Sequence, residues 1–281
     1  MHRRRRERWS GRRLATCAAL CLAVPCACRY APAAFGPPIE IPASEREGSA
    51  HGFPQLRALD GRVLADGEFT QSVDGDRVHA RIVFRSGQGS YTEETTVIRQ
   101  APNVVQERWA WREVRDGEVL RRFEIDFLNG KASAEKVEDG KRESWSKDVE
   151  LEPGRSFAGS GFSMALRSLH DRLLRGEEVE LQGVGFLPKP KAGDVAVKYV
   201  GLERMEMAGR TLTGEHYVIH PKVPAIARLF VDVPDTHLWL LAPPQQTFLR
   251  LEGPLAEPSD PIIRVDLLSG GSSGNAVPIA R

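Results

Sequence analysis

The chain has 281 residues, 39 Lys and Arg against 38 Asp and Glu, a formal charge of +1 and 41% hydrophobic residues, which is enough for one sizeable core. Residues 1–33 carry eight arginines and one glutamate, so the remainder holds 31 basic and 37 acidic residues, a formal −6. An acidic body is a poor electrostatic partner for nucleic acid or an anionic lipid surface, and both are excluded as expected partners.

Residues 1–33 read as a targeting segment. Residues 3–6 with Arg12 and Arg13 form a basic start, and residues 14–27 are an apolar run too short for a stop-transfer helix. Ala31-Pro32-Ala33 offers small residues for a signal peptidase, with cleavage before Ala34. Arg12-Arg13 lacks the rest of a twin-arginine pattern, so ordinary secretion to the periplasm or cell envelope is expected, with no transmembrane span in the mature chain. All four cysteines (Cys17, Cys21, Cys26, Cys28) lie here. Cys26 follows Pro25 and Cys28 follows Cys26-Ala27, poor matches to the small residues that precede a lipid-modified cysteine. The mature chain is therefore expected to be unanchored, without cysteine or disulfide.

Residues 34–54, rich in Pro, Glu, Ser and Gly, read as a disordered linker, and residues 55–268 as the folded domain. Its first half is a meander. A strand at 63–70 turns at Asp74-Gly75, and Val78, Ala80, Ile82 and Phe84 then alternate with His79, Arg81 and Arg85. Strands at 90–99 and 103–114 follow, the second with Trp109 and Trp111 on one face. After Asp116-Gly117, the strand at 119–128 turns Phe123, Ile125 and Phe127 one way. Asn129-Gly130 and Asp139-Gly140 are strong hairpin signals. The more polar 132–137 and 142–149 belong at a sheet edge, where charge discourages association.

The pattern then changes period. Phe162, Leu166, Leu169 and Leu173 recur at spacings of three and four, which predicts an amphipathic helix over about 162–175, capped by Ser160 or Ser163 and ended by Gly176. Alternation returns with Val179 and Leu181, then Val195, Val197 and Tyr199. Between them, Lys189-Pro190-Lys191 after Phe186-Leu187-Pro188 reads as a loop able to act as a lid. Residues 202–209 and 210–219 read as a hairpin turning at Ala208-Gly209. Strands at 231–233, 237–241 and 247–251 complete the pattern, and the Gly/Ser-rich 269–281 reads as a disordered tail. The fold class is α+β and mostly β: a curved antiparallel sheet or incomplete barrel with one amphipathic helix on its concave face.

Residues that look like chemistry fail on geometry. His216 and His220 lie four apart on a strand, about 13 Å, too far for one ion. His216 can meet His237 only if their strands are neighbours on one face. His170 and Asp171 near Ser160 and Ser163 resemble parts of a hydrolase, but adjacent helix residues do not face each other and read better as a solvent-side pair. Gly183-Val184-Gly185 lacks the third glycine of a dinucleotide loop and reads as a bulge or bend. Glu93-Glu94 and Glu177-Glu178, adjacent on strands, point to opposite faces. No catalytic residue, metal site or cofactor is expected. What remains is an apolar cleft between helix and sheet, with Phe162, Leu166, Leu169, Leu173, Trp109, Trp111, Tyr199 and Trp239 as candidate lining residues. A packed core demands the same apolar faces, and it leads to the other reading, a structural or interaction protein of the envelope.

The order of helix, then "GLERMEMAGRTLTGEHYVIHP" (201–221), then "DTHLWLLAPPQQTFLRLEG" (235–253) resembles an uncharacterised family of secreted bacterial β-proteins, related in architecture to the Lol-type lipoprotein carriers. The "AGR" turn at 208–210, the strand after it and the "HLWLL" strand carry the likeness, over roughly the second half of the mature chain. The resemblance implies an incomplete barrel plugged by a helix. In the carriers an acyl chain can lie in the apolar cleft, and a lipid or lipoprotein acyl chain, or another apolar molecule, is the candidate ligand of the cleft here, but the resemblance itself implies no cargo. It transfers no catalytic residue and specifies no protein partner.

Overall fold

The computed structural model describes residues 41–43, 46–187, 189–223 and 233–267. The expected signal segment and tail, residues 231–232 of an expected strand, and Pro188 lie outside them.

In chain order the elements are β1 (Ala50–Gly52), β2 (Gln55–Ala58), β3 (Val63–Asp74), β4 (Arg77–Gly87), β5 (Ser90–Arg99), β6 (Val105–Arg115), β7 (Glu118–Asp126), β8 (Lys131–Glu138), β9 (Lys141–Asp148), β10 (Ser156–Phe157), α1 (Gly161–Leu174), β11 (Val179–Leu187), β12 (Lys189–Met207), β13 (Arg210–Pro221), β14 (Thr236–Leu241), β15 (Phe248–Pro254) and β16 (Ile262–Asp266). The strands form a large, curved, unclosed sheet, antiparallel throughout except where short β10 runs parallel to β11. Two meanders, β2 to β9 and β11 to β16, are joined where β16 pairs with β2, so early and late segments of the domain meet mid-sheet. Asp116-Gly117, Asp139-Gly140 and Ala208-Gly209 take positive φ at both positions, as tight two-residue hairpins require. At one end of the sheet β9 presents a charged, solvent-exposed edge.

Curvature is visible in side chains that meet across the concave side. Phe186 on β11, near one end of the sheet, stacks on Phe123 of β7, near the other, with centroids 4.5 Å apart. Trp109 also stacks on Phe186, at 6.0 Å. Helix α1 also packs against the sheet. Ala165, Leu166, Leu169 and Leu173 are buried against Val179, Leu181, Val197, Tyr217 and Leu238, an apolar stripe on an apolar sheet face. The helix ends at Gly176, which has positive φ and donates to the Leu173 carbonyl.

The fold departs from the sequence expectations at several places. Ile41, in the expected linker, is fully buried in the helix-side core and accepts a bond from the Val104 N–H, and β1 pairs with β3, so the ordered body begins well before Gln55. The expected lid is no loop: Lys189, Pro190 and Lys191 pair with Leu187, Phe186 and Gly185, the lysines outward and the proline buried between them. Gly183-Val184-Gly185 continues the same ladder in unbroken register, with no bulge. The bulge falls at Val200 instead, within a single 19-residue β12 that had read as two strands. His170 does not face solvent with Asp171. Its Nδ1 lies 3.2 Å from both Tyr217 Oη and Glu215 Oε2, tying the helix to the sheet.

Candidate ligand cavity

Strands β3 to β6 present one continuous inner wall. Cross-strand partners share a face, so the register Phe69, Ile82, Glu94, Trp111 makes one row across four strands, and Gln71, Ala80, Thr96, Trp109 makes the next. On the other side of the β16–β2 junction, Leu238, Leu251, Val265 and Leu56 form a third row. These rows and the first two turns of α1, through Phe162, Ser163, Met164 and Arg167, enclose a cavity of about 500 Å³. Its size is within the range of small-molecule pockets, and its wall is mainly apolar.

Both ends of this space are tied by polar contacts. At the opening, the exposed Gly48, Ser49 and Ala50 line the rim. Gln71 donates to the Gly48 carbonyl at 2.7 Å, Glu47 N–H donates to Gln100 at 2.6 Å, and the Glu47 carboxylate is paired with Arg167 of the helix. At another border, the loop between β15 and β16 places Leu255 and Ala256 on the wall. It is held across the concave side by Arg121 of β7, which reaches Glu257 at 2.9 Å and Asp260 at 2.8 Å while also binding Glu113. Lys136 of β8 adds a second bond to Glu257.

Glu94 is the unusual residue in the wall. Its strand neighbour Glu93 points to the opposite face, where Arg81 and Arg112 bind it. Glu94 points inward, with apolar or neutral residues beside it in both rows. It retains some accessible surface although it lies deep in the molecule, because the cavity reaches it. Burial pushes its carboxyl above the usual range, opposed by bonds from Ser160 and by the nearby Trp109 indole. The Ser160 backbone N–H donates to Oε1 at 2.7 Å. The indole N–H, itself buried, has no partner in hydrogen-bond geometry.

Gln106 fixes that arrangement. Fully inside the protein, it accepts from the Ala158 N–H at 2.7 Å and donates to the Ala158 carbonyl and to Thr96, which clamps the chain just before the helix. The N-terminus of α1 is therefore held over β5 and β6 with the Ser160 N–H aimed at Glu94.

Of the eight lining residues expected from the sequence, Phe162, Trp109 and Trp111 lie on the cavity wall. Leu166, Leu169 and Leu173, further along the same helix face, lie in closed core, and Tyr199 packs beside Tyr217 against that core. Trp239 is on the opposite sheet face, in a separate cluster with Met205, Met207 and Leu249. There its ring stacks on His216 at 4.3 Å and its indole donates to Glu203 at 2.9 Å. His216 also touches Glu203 and His237 at 2.7 and 2.9 Å, a row made possible because β13 and β14 are neighbours. His220 stands apart on Asp235. Among the described residues, no group of three or more His, Cys, Asp or Glu is placed to hold a metal ion, and no helix is long and apolar enough to cross a membrane. Glu94 and Gln106 were missed in the sequence, although the alternation Thr92, Glu94, Thr96, Ile98 does place an acid on an otherwise uncharged face.

Compared with known proteins, the chain matches no family model and no curated protein.

Proposed function

We propose that this is an exported cell-envelope protein that binds an apolar ligand, the acyl chain of a lipid or lipoprotein, without covalent chemistry. The observation that carries the reading is the cavity of about 500 Å³ between the inner wall of β3 to β6 and the first turns of α1. Natural cores close such spaces, because an unfilled void of this size forfeits packing on every side. The basic and apolar composition of residues 1–33 supports export, and the unclosed sheet with a helix on its concave face matches what the Lol-type resemblance implies.

Titration with N-phenyl-1-naphthylamine, a dye that brightens in apolar surroundings, tests the reading. Saturable uptake at one site is expected for the natural sequence, and its loss is expected for Ile82→Trp, which fills the cavity from β4. Absence of uptake, or equal uptake by both, would leave the structural or interaction reading in its place.

A further inference from the structure

We infer that the ligand's acyl chain carries an uncharged hydrogen-bond acceptor, an ester or amide carbonyl, that meets Glu94 in the cavity wall. The inference rests on the proposed ligand-binding reading and specifies the chemistry of the ligand's polar end.

The argument starts from the charges that face the cavity. Among the described residues its wall holds three ionisable side chains, Glu47, Arg167 and Glu94. Glu47 and Arg167 form an ion pair, whereas Glu94 has no cationic partner. The elements packed around Glu94 bring no other charge. In the wall rows β4 contributes Ile82 and Ala80 and β6 contributes Trp111 and Trp109, while the segment before the helix contributes Gly159 and Ser160. A solitary acid in such a place is most stable when it keeps its proton, in line with the upward shift that burial produces.

The surroundings then determine what can meet it. Oε1 already accepts the Ser160 N–H, so what protonation adds for a ligand is an O–H donor. A carbonyl oxygen satisfies that donor. A ligand ammonium is disfavoured because the carboxyl is ringed by N–H donors: the Ser160 amide, the start of α1 with its partial positive charge, and the buried, unpartnered Trp109 indole. A ligand carboxylate is disfavoured because its charge would be buried beside a second carboxyl, while the cation on the wall is engaged by Glu47. The site therefore sorts acyl chains by their polar ends, with esters and amides ahead of free acids and amines.

Displacement of N-phenyl-1-naphthylamine by methyl laurate, laurate and dodecylamine at pH 7 tests this, because the three share one chain length. Methyl laurate is expected to displace the dye about tenfold more tightly than either charged analogue, the size of one buried polar mismatch. Glu94→Gln retains a donor and should keep the preference, whereas Glu94→Leu should bring methyl laurate and laurate within about twofold of each other. The comparison in the natural sequence decides the matter even if a variant does not fold. Laurate binding as tightly as the ester, or dodecylamine binding tightest, overturns the inference while leaving the cavity reading intact. Failure of the dye to bind at all would instead remove the cavity reading beneath it.

Discussion

Ser160 donates its backbone N–H to Glu94 Oε1 at 2.7 Å, which joins the first turn of the helix to the middle of the inner sheet wall through a carboxyl that faces the cavity. Because burial raises the Glu94 pKa above its ordinary value of 4.5, the folded state binds more protons than the unfolded chain between that value and the raised one. The stability slope with pH is therefore negative in that window: the contribution is complete below pH 4.5 and is lost as pH rises through the raised pKa. Urea denaturation of the natural sequence and of Glu94→Gln across this range should show the natural sequence losing ground to the variant as pH rises. Parallel profiles would show that Glu94 ionises normally.

Leu169 and Ile82 separate core from cavity. Leu169 is fully buried between helix and sheet, away from the cavity. Leu169→Ala should cost about 2–5 kcal/mol in chemical denaturation while the remaining folded protein binds the dye unchanged. Ile82→Trp should do the reverse, abolishing uptake with little effect on stability. If the leucine variant loses the dye site before it unfolds, helix and cavity are coupled more tightly than the packing indicates.

Gly161 opens α1, where helix propensity alone would credit alanine with roughly 1 kcal/mol. The packing opposes it. A Cβ there would lie 2.5 Å from Gln106 Oε1, and Gln106 cannot swing away without releasing its bonds to Ala158 and Thr96. Gly161→Ala should therefore destabilise by roughly 1–3 kcal/mol, the scale of buried hydrogen bonds left unmade. A rise in melting temperature would contradict the clamp.

Arg121 holds together carboxylates from β6 and from the loop between β15 and β16, and all these groups are largely buried. Removing the cation leaves Glu113, Glu257 and Asp260 without it, so Arg121→Met should cost about 3–5 kcal/mol. Because the network is sheltered, added salt should change that cost little, as comparison at low and high salt would show.

Much of this architecture was legible in the chain. The alternation at 78–84, the aromatic face of 123–127, the glycine turns and the helical spacing from Phe162 to Leu173 correspond to observed elements, because each is a local pattern. The mid-sheet pairing of β16 with β2 was not legible, since neither short strand records its distant partner. At the cavity the difficulty was one of position along the helix. Phe162, Leu166 and Leu169 share one stripe, and tertiary placement determined that only Phe162, in the first turn, would border the cavity. Trp239 was misplaced for a related reason: strand alternation groups it with His237, but which sheet face they share depends on the curvature of the whole sheet. Glu94 was legible only as facing away from Glu93, and its meaning depended on Ser160, 66 residues away.

Native mass spectrometry of the protein, expressed with residues 1–33 intact and purified gently from the cell envelope, tests the central claim most directly. The account predicts a discrete added mass that is released by organic solvent and fragments as an acyl ester or amide. A bare polypeptide mass, with no adduct even after incubation with methyl laurate, would contradict it.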